Sequence, residues 1–170
     1  PFKEYLRLYT QWAIRQTEKC GAEIVFNTEV TPELVEKVSP DAVIVACGSK
    51  YLRPGIEGID IDKVKTLSDV VHHRVKVGKN VVVCGGGTVG LECAIMLGME
   101  GCSVTVVDMI PTEQFGASLP VFNGIEVKYQ LAKHKVNLQG GRKITAFTDE
   151  GVETVDSAGN RHVYPGDTYV

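Results

Sequence analysis

The stretch that decides the fold is Asn80-Val81-Val82-Val83-Cys84-Gly85-Gly86-Gly87-Thr88-Val89-Gly90. Its first five residues are mostly apolar and predict a strand that is buried on both faces. Gly85, Gly87 and Gly90 then form the pattern G-x-G-x-x-G at the start of a helix predicted over residues 88–98. A second buried strand is predicted over residues 103–107. This order is a βαβ unit, which predicts an α/β fold with a Rossmann-like parallel sheet and flanking helices.

The three glycines predict a dinucleotide site because each has a separate role. Gly85 allows a tight turn, Gly87 lets the backbone approach a pyrophosphate, and Gly90 lets the helix pack closely on the strand. The positive end of the helix, at Thr88 and Val89, would face the phosphates. Thr88 either binds a phosphate or caps the helix.

Asp108 follows the second strand, about 20 residues after the glycines, where a carboxylate accepts hydrogen bonds from ribose hydroxyls. A glycine turn that binds nothing is the alternative, and it is disfavoured because a carboxylate at this spacing has little structural purpose. Residues 109–127 contain no Lys or Arg to offset the repulsion between Asp108 and a 2′-phosphate. We therefore expect NAD(H) rather than NADP(H), with Met109 beside Asp108, unless a distant loop supplies a cation.

Shorter patterns surround this unit. Before it we expect a helix with Tyr5, Leu8, Tyr9 and Trp12 on one face, a strand at 23–27, a helix over 32–38 capped by Thr31, a buried strand at 42–46, and a helix over 68–73 capped by Ser68. In the central helix, Val89, Cys93, Met96 and Leu97 are expected to form the apolar face. After the unit we expect a helix over 121–134 and an antiparallel β-meander of strands at 143–147, 152–155 and 161–164.

The composition excludes several classes of function. Of the 170 residues 44% are hydrophobic, and the net charge of −3 offers no surplus of positive charge for nucleic acid. The longest apolar runs are far below the roughly 20 residues of a membrane span. The five cysteines include no C-x-x-C pair, and the four histidines do not share metal-ligand spacing with carboxylates. We expect no metal site, no membrane partner and a cytoplasmic location.

Two segments together resemble the flavoproteins that bind two dinucleotides. The segment from Val81 to Glu92, with Val104–Asp108, resembles their NADH-binding part. The segment from Asp41 to Ser49 resembles the strand that joins their FAD and NAD domains, although a threonine is usual where Cys47 stands. The resemblance implies that Cys47 and Gly48 border the cofactors. It also implies that Glu92 lies near the nicotinamide; complementing the helix dipole is an equally good reason for this glutamate.

The opening helix and the turn at 27–31 most resemble the NADH:flavin oxidoreductases built on an old-yellow-enzyme-like barrel, such as 2,4-dienoyl-CoA reductase, 2-enoate reductase and trimethylamine dehydrogenase. This branch implies a relay in which NADH reduces FAD, and electrons then pass through an iron–sulfur cluster to FMN in the barrel. Residues 1–54 would be a remnant of the FAD domain, 55–58 a linker, 59–165 the NAD(H) domain, and 166–170 a truncated return strand to the FAD domain.

The sequence is compatible with three functions. The first is a fragment of such an enzyme, inactive alone because the FAD domain and barrel are missing; a start at Pro1 instead of Met favours it. The second is a free-standing NAD(H)-binding or sensing module. The third is a complete dehydrogenase, which is disfavoured because no catalytic Tyr/Lys or His/Asp pair is evident.

Overall fold

The computed structural model describes residues 4–170, so the first three residues of the expected 1–54 segment lie outside it. The chain divides into two compact units, Pro1–Tyr51 and Leu52–Val170. The division falls shortly before the linker expected at residues 55–58.

The first unit consists of two helices and irregular chain. Helix α1 spans Glu4–Lys19 and α2 spans Pro32–Val38. The Thr31 hydroxyl caps α2, since it accepts a hydrogen bond from the Leu34 backbone N–H at 3.3 Å. Ser39 ends α2 in a left-handed conformation. Both helices therefore form where the sequence predicts them.

The two strands predicted for the first unit are absent from the part that the structure describes. Residues 23–27 and 42–46 are irregular, and Val25, Ile44 and Val45 are 64%, 91% and 81% exposed. The prediction that both faces of 42–46 are buried is wrong for this chain. A strand needs a neighbour for its backbone hydrogen bonds, and residues 4–51 pair with none.

The second unit contains most of the regular structure. In chain order its elements are α3 (Leu67–Val71), β1 (Asn80–Cys84), α4 (Thr88–Met99), β2 (Ser103–Val107), a short 3₁₀ turn (Thr112–Gln114), α5 (Val121–Lys133), β3 (Asn137–Gln139), β4 (Lys143–Phe147), β5 (Val152–Val155), β6 (Arg161–Tyr164) and β7 (Thr168–Tyr169). Thr66, rather than the predicted Ser68, caps α3 by accepting from the Asp69 N–H at 3.2 Å.

A parallel sheet forms the centre of this unit, with strand order β3-β2-β1-β7. Helix α4 crosses from β1 to β2, as the βαβ pattern predicts, and the α/β fold class is confirmed. Inward side chains of β1 and β2 pack on α4, whereas Val82 and Val107 face the opposite side. Helix α4 is buried almost all round, but Val89 is 56% exposed, so its expected place on the apolar face is wrong. Val89 lies in the first turn of α4, outside the hydrophobic core.

An antiparallel sheet of β4, β5 and β6 covers the other side of the parallel sheet, and the predicted meander is confirmed. Phe147 and Val152 pack there against Val82, Val107 and Tyr169. The parallel sheet is therefore a middle layer between helices and the meander. Among the described residues, no helix combines the length and the apolar character that crossing a membrane requires.

The last strand corrects one expectation. Residues 166–170 were expected to return to a second sheet, yet β7 pairs in parallel with β1, Val81 opposite Thr168 and Val82 opposite Tyr169. Tyr169 is completely buried. The expectation came from the family resemblance, whereas burial of Tyr169 between the sheet and the meander stabilises β7 within this unit. Strand β3 went unpredicted because its three residues are too few to show a period.

Candidate dinucleotide-binding site

The glycine turn connects β1 to α4 at the carboxyl end of the parallel sheet. Gly85 has φ of 135°, a conformation that L side chains rarely adopt, and its N–H donates to the Val107 carbonyl at 2.9 Å. A Cβ on Gly90 would lie 2.1 Å from the Gly85 carbonyl oxygen. The structure thus gives Gly85 and Gly90 the turning and close-packing roles expected of them.

Gly87 differs because the space beside it is open. It is the N-cap of α4, with φ of −74°, and nothing lies within 4 Å of where a Cβ would stand. By helix geometry, the first N–H groups of α4, beginning at Thr88 and Val89, lack carbonyl partners within the helix. Among the described atoms, none explains glycine at this position by contact, and an anion approaching the helix end would use the space.

The middle glycine, Gly86, has a role that the sequence did not indicate. A Cβ there would lie 2.6 Å from the ring of Phe115, which is only 5% exposed. The Gly116 N–H also donates to the Gly86 carbonyl at 3.1 Å. The loop after β2 is therefore fixed to the glycine turn through the buried ring of Phe115.

Asp108 is held at the turn by the backbone. Its Oδ2 accepts from the Gly86 N–H at 2.6 Å and its Oδ1 from the Ile110 N–H at 3.1 Å. The carboxylate of Asp108 therefore has a structural role in holding the turn. The expectation that a carboxylate at this spacing has little structural purpose is wrong. Each carboxylate oxygen has a further lone pair, so the group can still accept hydrogen bonds from a ribose.

A cavity of about 370 Å³ opens at this end of the sheet. Its lining includes Gly85, Asp108 and Met109, together with Arg142 and Lys143. Met109 is 65% exposed. Asp108 thus lines the cavity at the predicted ribose position, and two basic residues, Arg142 in the loop after β3 and Lys143 at the start of β4, line it as well.

Comparisons with known proteins identify the family. Residues 7–170 match the family described as pyridine nucleotide-disulphide oxidoreductase. The chain belongs to that family. The pyridine nucleotide-disulphide oxidoreductases bind NAD(H) and FAD, the cofactors predicted from the sequence. The open face at Gly87 and the lone pairs of Asp108 fit the pyrophosphate and ribose of NAD(H).

Individual relatives within this family are oxidoreductases. The NADH oxidase of Thermoanaerobacter brockii is 27% identical over 95% of this chain and 25% of its own length. The cinnamate reductase of Clostridium sporogenes is 32% identical over 88% of this chain and 22% of its own. A solved 2-naphthoyl-CoA reductase superposes with a TM-score of 0.76 at 29% identity, covering 92% of this chain and 23% of that one. The chain spans about a quarter of the length of these relatives.

Cys84 lies beside the glycine turn and lines the same cavity. Burial, and secondarily the charge of Asp108, raises the pKa of its thiol to about 12. The group is therefore a neutral thiol at neutral pH and acts as a small apolar side chain in this oxidoreductase domain.

The structure says less about the other residues predicted to bind cofactors. Glu92 stands near the start of α4 and is half-buried. Cys47 and Gly48 belong to the first unit and stay a prediction as cofactor-binding residues. Within residues 4–170, no group of three or more His, Cys, Asp or Glu side chains could hold a metal ion.

Proposed function

We propose that this chain is the NADH-binding region of a flavin-dependent oxidoreductase in which NADH passes a hydride to FAD. The observation that carries the proposal is the open face of Gly87 at the start of α4, with the Asp108 carboxylate beside the same turn. Together they provide an anion site and a ribose acceptor at the carboxyl end of a parallel sheet, where such folds bind nucleotides.

Each residue of the site has one task in this proposal. The first N–H groups of α4, at Thr88 and Val89, hold the pyrophosphate. Asp108 accepts hydrogen bonds from the ribose hydroxyls, and Met109 covers the adenosine. Glu92 stands toward the nicotinamide end. When bound, NADH supplies the hydride that FAD accepts, while these residues only bind and orient it.

The exposed apolar side chains of the first unit support the inference that the chain is part of a larger protein. Ile44 and Val45 are strongly exposed in a segment whose sequence is typical of a buried strand. We infer that residues 1–54 complete their sheet in an FAD-binding domain, where Cys47 and Gly48 border the flavin. The old-yellow-enzyme-like branch, with its FMN and iron–sulfur cluster, is part of the same proposal, and the isolated chain is expected to be inactive.

A titration with NADH tests the site, comparing the wild-type chain with Asp108→Asn. Asparagine keeps an oxygen for the Gly86 N–H but loses the charge that strengthens hydrogen bonds to a ribose, so NADH affinity should fall by about tenfold. Asp167→Asn is the matched control. That carboxylate also accepts from backbone N–H groups, those of Lys79 and Asn80, but lies at the opposite end of β1.

Two results would contradict the proposal. One is the absence of NADH binding to the folded wild-type chain at millimolar concentration, and the other is unchanged affinity in Asp108→Asn. A free-standing NAD(H)-binding module is the second candidate, favoured by the presence of a single G-x-G-x-x-G pattern in the chain. A flavin absorption band in the purified chain would contradict both, because neither provides a complete FAD site.

A further inference from the structure

Arg142 lies close to Asp108 although 33 intervening residues separate them in the chain. Its backbone N–H donates to the Asp108 carbonyl at 2.8 Å, and Arg142 is one of the residues that line the cavity at Asp108. The sequence left undecided whether a distant loop supplies a cation near Asp108, and Arg142 is such a cation. It comes from the loop after β3, which the strand order places next to the end of β2.

The guanidinium of Arg142 is held by partners in the meander. Its Nε donates to the Tyr164 hydroxyl at 3.0 Å, and its Nη1 lies 3.6 Å from Asp156 Oδ2. The Arg142 and Asp156 side chains are 24% and 14% exposed, so water screens this pair less than a surface pair. Tyr164 in turn donates to Gln139 at 3.3 Å.

Asp156 is itself fixed in place and kept charged. Its Oδ1 accepts from the Ala158 and Asn160 N–H groups at 3.0 and 2.9 Å, within the turn between β5 and β6. Its Oδ2 lies 2.9 Å from His162 Nε2. These hydrogen bonds, that of His162 first, hold the pKa of the carboxyl well below its usual range. The charge facing Arg142 therefore persists at neutral pH.

We propose that Asp156 is a positioning residue that sets the choice between NADH and NADPH by neutralising Arg142. The inference rests on the proposed function, because it concerns the cofactor bound beside Asp108. Asp108 repels a 2′-phosphate, and only an unpaired cation would offset that repulsion. Two basic residues line the cavity: Arg142 is paired with Asp156, and Lys143 is exposed, so water screens its charge. The plain ribose of NADH is then the better ligand.

Asp156→Asn tests this inference in titrations with NADH and NADPH. Asparagine keeps an oxygen for the turn N–H groups but removes the charge that pairs with Arg142. The ratio of NADPH affinity to NADH affinity should rise by about tenfold, since a charge-assisted hydrogen bond becomes available to the 2′-phosphate. Adding Arg142→Gln should abolish the gain. Glu153→Gln is the matched control, because it breaks a comparable pair with Arg161 in the same meander.

Arg142→Gln alone provides a second, independent variant should Asp156→Asn fail to fold. It removes the charge that balances Asp156, which then adds to the repulsion of a 2′-phosphate, and should lower NADPH affinity several-fold more than NADH affinity. Circular dichroism establishes that each variant is folded.

The outcomes separate the two proposals. An unchanged affinity ratio in folded Asp156→Asn, or in folded Arg142→Gln, overturns the role of this pair while NADH binding and its dependence on Asp108 stand. A wild-type chain that binds neither cofactor overturns the proposed function itself.

Discussion

At Gly90 a Cβ would lie 2.1 Å from the Gly85 carbonyl oxygen, whereas at Gly87 nothing lies within 4 Å. The two positions therefore require glycine for different reasons. Packing within the chain explains Gly90, and the approach of a ligand is the reason proposed for Gly87.

Alanine substitutions separate these reasons. Gly90→Ala should destabilise the fold by about 1–3 kcal/mol, because backbone atoms must move to admit the methyl group. Gly87→Ala should leave the thermal midpoint nearly unchanged but reduce NADH affinity at least about tenfold, since the methyl group fills the proposed pyrophosphate space. Thermal unfolding and NADH titration measure the two effects. Wild-type NADH affinity in Gly87→Ala would contradict the assigned role.

The thiol of Cys84 allows a second prediction at this scale. With its pKa raised to about 12 by burial and by Asp108, it has almost no thiolate at pH 8. Iodoacetamide should label exposed Cys20 in the folded chain and reach Cys84 only after unfolding. Mass spectrometry of the labelled peptides measures this. Equal labelling of both residues in the folded chain would show that the turn opens readily.

Among the elements, helix α4 contains Gly98 near its end and helix α5 contains Gly124, in different surroundings. A Cβ on Gly124 in α5 would only touch Leu119, at 4.0 Å, whereas a Cβ on Gly98 in α4 would lie 2.9 Å from His134 Cβ. Gly124→Ala should stabilise the chain by about 0.5–1 kcal/mol through helix propensity. Gly98→Ala is the matched control and should destabilise it. Urea unfolding checks both signs, and equal shifts would contradict the packing difference.

The elements predictable from sequence are those whose signal is local. Strand β1, the glycine turn and α4 were predicted because apolar runs and special backbone positions appear directly in the residue order. The strands at 23–27 and 42–46 were predicted by the same rule and failed, since pairing depends on a neighbour. Gly86 against Phe115 and Arg142 beside Asp108 are contacts between distant segments, so composition and spacing did not indicate them.

For the molecule as a whole, acid is expected to weaken the fold partly through Asp156. Its hydrogen bonds, that of His162 first, lower the pKa of the folded carboxyl below the ordinary value of 3.8. The Asp156 carboxyl therefore binds a proton more tightly in the unfolded chain than in the folded chain. Its contribution to the free energy of unfolding is fully present above about pH 5. It is lost as pH falls through 3.8 toward the folded pKa.

Urea unfolding of the wild type and Asp156→Asn between pH 6 and pH 3 measures this dependence. The variant should be less stable at pH 6 and should lose less stability on acidification. Glu153→Gln, whose carboxylate pairs with Arg161 at the surface of the meander, serves as the control. Parallel pH curves for wild type and Asp156→Asn would contradict the assignment.

Strand β7 also has a consequence for the order of assembly. The Asp167 carboxylate accepts from the Asn80 N–H although the two residues are 87 positions apart, and Tyr169 fills the space between the sheet and the meander. A chain leaving the ribosome can form the β1–α4–β2 unit early, but the second partner of β1 follows only 87 positions later. One edge of β1 therefore stays unpaired until β7 has emerged, which makes this strand the point where a chaperone or a misfolded neighbour would first engage the nascent protein.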